Sequence, residues 1–153
     1  MSEKKITVTR VIDAPASEIF QVLSNPERHS EFDGSGTVRS DEKSNRIQST
    51  GDVFVMNMFN EEMGGDYKMH NHVTGFDQNR LISWQPAEEE RKDSPAGWEW
   101  TYRLESQGSD STEVSLTYSW ENLTDSSIEH IFPAISEKEL EESLNQLASV
   151  VSG

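Results

Sequence analysis

The sequence predicts an α+β fold in which a curved antiparallel sheet of about seven strands wraps a long C-terminal helix, with two short helices after the first strand. Three patterns predict it. Between residues 37 and 120, short polar and glycine-rich intervals separate a series of β-like runs. Two of those runs alternate between apolar and polar positions, as a sheet does when one face is covered and the other wet. The last part of the chain changes to helical spacing and supplies the one large cover available.

The first strand lies in "KKITVTRVIDAP", where Ile6, Val8, Arg10 and Ile12 alternate with Thr7, Thr9 and Val11. Pro15 stands where a helix can begin, and Ile19, Phe20 and Leu23 follow at helical spacing. Pro26 stops that helix, because the residue before a proline is driven out of the helical region. A second short helix is expected over residues 26–31. Six further strands are expected at Thr37–Asp41, Gly51–Phe59, Asp66–Phe76, Arg80–Gln85, Gly97–Glu105 and Thr112–Trp120. Met63-Gly64-Gly65, Asp77-Gln78-Asn79 and Gln107-Gly108-Ser109-Asp110 carry turn chemistry between them. Links this short make antiparallel neighbours, hence a meander. Two longer intervals, 42–50 and "PAEEERKDSPAG" at 86–97, read as solvated loops.

The last two strands are the most informative. Trp98, Trp100, Tyr102 and Leu104 share one face, against Glu99, Thr101, Arg103 and Glu105 on the other. Val114, Leu116, Tyr118 and Trp120 repeat the pattern against Glu113, Ser115, Thr117 and Ser119. Phe132, Ser136, Leu140, Leu144, Leu147 and Val151 then form a mainly apolar helical stripe, with Glu137, Lys138, Glu141 and Glu142 off it. With Pro133 in its first turn, this helix should run for about eighteen residues. A twisted sheet curled around one helix rarely closes completely, and the gap is a natural pocket.

Length and composition bound the function. The 153 residues suit one domain, 1–153, long enough to bury a real core. The 13 Lys and Arg against 28 Asp and Glu give a net charge of −15. Such a surface repels phosphate backbones and anionic bilayers, so neither a nucleic-acid partner nor a stable membrane association is expected. The absence of cysteine removes disulfides, thiolate metal sites and cysteine nucleophiles together. The N-terminal residues lack the apolar run of a signal peptide, and a cytoplasmic location is expected. The sequon Asn122-Leu123-Thr124 is then without consequence.

The order strand, two short helices, six strands, long helix resembles the START-like (SRPBCC, pollen-allergen-like) helix-grip superfamily. Within it the chain is similar to small bacterial members of the polyketide cyclase/dehydrase type. "VIDAPASEIFQVLSNPERHSEF" at 11–32, "GDVFVMNM" at 51–58, "HVTGFDQNRLISWQ" at 72–85 and "GWEWTYRLE" at 97–105 carry the resemblance, which extends over essentially the whole chain. Many relatives have Trp where this chain has Phe32, a change that reshapes one end of the pocket. The resemblance implies an apolar ligand such as a lipid, sterol or polyketide, held between sheet and helix. A minority of the superfamily cyclises or dehydrates a bound polyketide, and a related branch stimulates a chaperone ATPase. The resemblance carries over no catalytic residue.

Several local patterns bear on chemistry. Gly34-Ser35-Gly36 is followed by Thr37-Val38-Arg39, so it lacks the Lys-Ser/Thr of a phosphate-binding loop. Asp33 and Thr37 also exclude a nucleophile elbow, which leaves a corner between helix pair and sheet. His70 and His72 share one strand face, but a zinc site needs a third ligand from Asp66, His29, His130 or a glutamate, and no metal or other cofactor is expected. Tyr67, Met69, Asn71 and Val73 form the alternate, inward set. Met56, Met58, Met63 and Met69 with Phe54 and Phe59 suit an adaptable apolar interior. Among the acids, Asp33 is the least arbitrary candidate for acid–base work, whereas Glu99 falls on the wet face.

The expected cavity lining is Phe32, Met69, Asn71, Trp84, Trp98, Trp100, Tyr102, Tyr118, Trp120, Phe132, Leu140 and Leu144, with Asn71 and Tyr102 orienting the ligand. The function so read is binding of a small apolar or aromatic molecule by a monomer or weak homodimer. A polyketide cyclase or dehydratase using the same cavity, and a chaperone-ATPase-activator-like interaction domain, are the alternatives.

Overall fold

Alternating apolar residues make the first and last strands partners across the whole length of the chain. A computed structural model describes residues 4–32, 38–41, 46–60, 64–124, 126–132 and 135–152. Strand β1 (Lys5–Ile12) buries Val8 and Ile12 and runs antiparallel to β7 (Ser111–Ser119), from Lys5↔Ser119 to Ile12↔Thr112. Between them lie β2 (Val38–Asp41), β3 (Val53–Asn60), β4 (Gly65–Asp77), β5 (Leu81–Glu88) and β6 (Glu99–Gly108). The seven strands form one sheet in the order β1-β7-β6-β5-β4-β3-β2, every neighbour antiparallel.

Helix α1 (Ala16–Leu23) follows Pro15, whose φ of −66° is preset for a helix start, and buries Ile19, Phe20, Val22 and Leu23. A 3-10 helix, Pro26–Glu31, comes next; the Asn25 side chain caps it by accepting a bond from the Glu27 amide at 3.2 Å. Three residues per turn bring Pro26, His29 and Phe32 to one side, and all three are buried. Helix α2 (Glu137–Ser152) buries Leu140, Ser143, Leu144, Leu147 and Ala148 and packs chiefly on β1, with lesser contact to α1, β7 and the 3-10 helix. No helix among the described residues is long and apolar enough to cross a membrane.

The structure shifts several boundaries for identifiable reasons. Helix α2 begins at Glu137, and Pro133, expected in its first turn, lies outside the described residues. A reciprocal cap sets the start: the Glu139 amide donates to Ser136 Oγ at 3.1 Å, and the Ser136 amide donates to Glu139 Oε1 at 3.0 Å. Ser136→Ala should lower stability by about 1 kcal/mol; an unchanged urea midpoint would show that the cap contributes nothing. Strand β5 runs through Pro86 to Glu88, past the expected end at Gln85. Beyond Trp84 it leaves β6 and pairs only with β4, so its edge tolerates a proline. Part of the expected 86–97 loop is thus strand, and Glu89–Arg91 form a short 3-10 turn. A further 3-10 helix, Ser126–Ile131, precedes α2. The expected glycine-rich corner at 33–37, with Asp33, and Met63 also fall outside the described residues.

Candidate functional site

The inner face of the sheet is built of aromatic side chains because three successive strands place one at the same level. In register, Trp84 of β5 stands opposite Trp100 of β6, and Trp100 opposite Tyr118 of β7. Cross-strand neighbours at this spacing touch. Trp100 stacks on Tyr118 with ring centroids 4.5 Å apart and planes 26° apart.

Around this row the rings gather in two adjoining groups. On the β5 side, Trp84 stacks on Tyr102 at 5.9 Å and on His29 at 5.2 Å, and meets Phe54 edge-on at 5.4 Å. Phe32 completes this group, 5.1 Å from His29 and 6.0 Å from Tyr102. On the β7 side, Tyr118, Trp120 and Trp98 surround Phe132, at 6.1, 6.1 and 5.6 Å. Leu140 and Leu144 of α2 belong to the same continuous core. Met69 is buried opposite Met56 on β3, so these two methionines lie side by side on the inner face.

Two polar side chains are buried among these rings. Asn71 stands opposite Phe54 in register, and its Nδ2 donates to the carbonyls of Met69 at 3.3 Å and Phe54 at 3.4 Å. His29 bonds the Leu23 carbonyl through Nε2 at 2.7 Å. A carbonyl only accepts, so Nε2 carries the proton. The sequence reading placed His29 only among possible metal ligands. Its signal was the three-residue period of Pro26, His29 and Phe32, half hidden by the charged neighbours Glu27, Arg28 and Glu31.

The other titratable candidates point outward. His70 and His72 lie on the wet face of β4, with Met69, Asn71 and Val73 buried on the other. His70 Nε2 is 3.4 Å from Glu89 Oε1 without a hydrogen bond, and His72 Nε2 bonds the Lys92 carbonyl, so His72 fastens the segment after the Glu89–Arg91 turn to the sheet. Among the described residues no three His, Asp or Glu side chains are grouped to hold a metal. Glu99 accepts bonds from Thr74 Oγ1 at 2.7 Å and Gln85 Nε2 at 3.4 Å on that outer face.

A cleft of about 370 Å³ opens beside the start of β3, lined by Arg46, Ile47, Gln48, Asp52, Val53 and Phe54. Residues 42–50 are expected from the sequence to be a solvated loop. Ile47 is buried instead, its amide bonded to the Ser24 carbonyl at 2.8 Å. Backbone amides of Gln48 and Ser49 bind the Asp52 carboxylate at 2.8 and 3.1 Å. The Gln48 amide foremost, with Ser49 behind it, lowers the Asp52 pKa below the usual carboxylate value, so Asp52 stays ionised.

Comparison with known proteins fits this geometry. Residues 13–152 match the profile of the family described as Activator of Hsp90 ATPase homolog 1-like protein. An uncharacterised protein of Mycobacterium tuberculosis is 32% identical over 109 residues, 71% of this chain and 44% of that protein. The chain thus spans less than half the length of that curated relative. A solved Nitrosomonas europaea protein superposes with a TM-score of 0.71 at 13% identity, covering 99% of this chain and 96% of that one. The Zhui aromatase/cyclase of a Streptomyces species gives 0.66 at 15% identity, covering 97% and 93%. The Aha1 dimer of Colwellia psychrerythraea gives 0.58 at 22% identity, covering 96% and 95%. Likeness at these identities establishes the helix-grip fold, and the profile match over nearly the whole chain establishes the family. The chain belongs to the Activator of Hsp90 ATPase homolog 1-like proteins.

Proposed function

We propose that this chain binds a small hydrophobic or aromatic molecule, lipid- or polyketide-like, against the inner aromatic face of the sheet. One observation carries the reading. Trp98 and Trp100 lie on the inner face and Phe132 packs beside Trp98, yet all three are only half-buried, whereas Trp84, Tyr102, Tyr118 and Trp120 are buried. Helix α2 lies chiefly over β1, so among the described residues it leaves this aromatic end less covered than the rest of the core. A flat apolar molecule seated there gains about 25 cal/mol for each Å² it removes from water. Asn71 and Tyr102, polar and buried on the same face, suit the orienting role.

Calorimetric titration with 2-naphthalenemethanol tests this. Saturable binding is expected with Kd on the order of 10–100 μM, and Trp100→Ala should weaken it about tenfold. Absence of binding, or equal binding by the variant, would contradict the reading.

His29 favours a second reading, a cyclase or dehydratase at the same face. It is a titratable side chain 5% exposed among Phe32, Phe54 and Trp84. Such a group is where acid–base chemistry would reside. The family description supports a third, stimulation of a chaperone ATPase through the outer surface. His29→Gln would then leave activation intact, whereas it would abolish turnover by an enzyme.

A further inference from the structure

We infer that the cleft beside β3 takes the carboxylate of an amphipathic monoanion, such as an aromatic or fatty acid, whose apolar part lies towards Phe54. The inference rests on the binding reading above and names the chemical class of its ligand. Arg46 lines the cleft and is exposed, and its Nη1 donates to the Gln21 carbonyl at 2.9 Å and to Ser24 Oγ at 3.1 Å. Both acceptors are neutral and both engage the same nitrogen. The guanidinium is therefore held in place by neutral acceptors, with Nε and Nη2 making no hydrogen bond among the described residues. That edge presents the parallel donors that match a carboxylate. In a chain with 28 acidic residues, an arginine fixed by uncharged partners in a concave site is suited to an anion from outside.

The other lining residues set the rest of the selectivity. Asp52 spends both carboxylate oxygens on its own turn, accepting from the Gln48 and Ser49 amides and from Ser49 Oγ at 3.3 Å. Its retained negative charge disfavours a dianion beside Arg46, so a carboxylate is preferred to a phosphate monoester. Val53, 48% exposed, supplies the open apolar surface of the cleft, whereas Phe54, which also lines it, is only 2% exposed, with its ring on the inner face of the sheet. Phe54 is also the ring that meets His29 at 5.1 Å and Trp84 at 5.4 Å. Phe54 thus stands between the charged cleft and the aromatic group, so a ligand that engages both must displace this one ring.

The test compares 2-naphthoate, 2-naphthalenemethanol and 2-naphthyl phosphate by calorimetry on the intact chain. The acid should bind about tenfold more tightly than the alcohol at low salt, the phosphate less tightly than the acid, and the acid's advantage should shrink as salt is raised. Arg46→Gln should erase that advantage without changing affinity for the alcohol. Equal binding of acid and alcohol by the unmodified protein overturns the carboxylate site and leaves the aromatic binding face standing. Failure of all three probes to bind overturns both. Because the decisive comparison uses the unmodified protein, a poorly folded Arg46→Gln variant would not remove the test.

Discussion

Trp84→Ala is expected to destabilise the protein by about 3–5 kcal/mol, a large share of the stability of a domain this size. Trp84 is 8% exposed and is the ring on which His29, Phe54 and Tyr102 all converge, at 5.2, 5.4 and 5.9 Å. Alanine removes the apolar contact of an indole and leaves a cavity that four elements would have to collapse to fill. Each lost aromatic pair adds roughly 0.5–1.5 kcal/mol beyond its buried area. Trp84→Phe keeps a ring in place and should recover more than half of the loss. Urea denaturation measures both variants; a loss below about 1 kcal/mol for the alanine variant would mean that Trp84 is not at the centre of this packing.

Gly97→Ala is the second large effect, for a different reason. Gly97 has φ of +112°, and a Cβ there would meet the Asn122 carbonyl oxygen at 2.1 Å and its carbon at 2.7 Å. The obstruction is backbone, so no side chain can move aside. The neighbouring bond from the Thr124 amide to the Ala96 carbonyl, 2.7 Å, would be pulled apart by any shift that relieves it. Strain at the left-handed φ and the forced displacement together should cost on the order of 3 kcal/mol or more. Gly64→Ala is the control: its φ is +93° but nothing lies within 4 Å of the added carbon, so only the strain, about 1 kcal/mol, should appear. Equal losses in the two variants would show that the Asn122 contact is unimportant. The position also bears on the site, since Gly97 leads into Trp98 and β6.

What could be read from the chain beforehand follows the range of the interactions. The alternation in Trp98–Leu104 and Val114–Trp120 gave the inward faces correctly because period two depends only on the strand itself. The same holds for Met69, Asn71 and Val73 against His70 and His72. The cap at Ser136 and Glu139 is equally local, but the stripe through Phe132 and Ser136, with Pro133, drew the expected helix start upstream of it. Pro86 hid the last turn of β5, since the loss of a β6 partner beyond Trp84 is a matter of sheet topology. His29 sits in a run of exposed charges, and its burial depends on β3 and β5 arriving from elsewhere. The Arg46 cleft depends on contacts from residues 46 and 47 back to Gln21 and Ser24, which no local pattern reveals. Likewise, nothing near Gly97 announces Asn122 as its neighbour.

The claim that the inner aromatic face is a binding site is tested most directly by the indole N–H resonances of Trp84, Trp98, Trp100 and Trp120. Titration with 2-naphthalenemethanol, followed by NMR with each tryptophan assigned by substitution, reads all four at once. The half-buried Trp98 and Trp100 should shift first and most, in a saturable manner, with Trp84 following through its register contact with Trp100. Unchanged indole signals at saturating probe, with shifts confined to amides of the outer face around Thr74 and Glu99, would contradict the account.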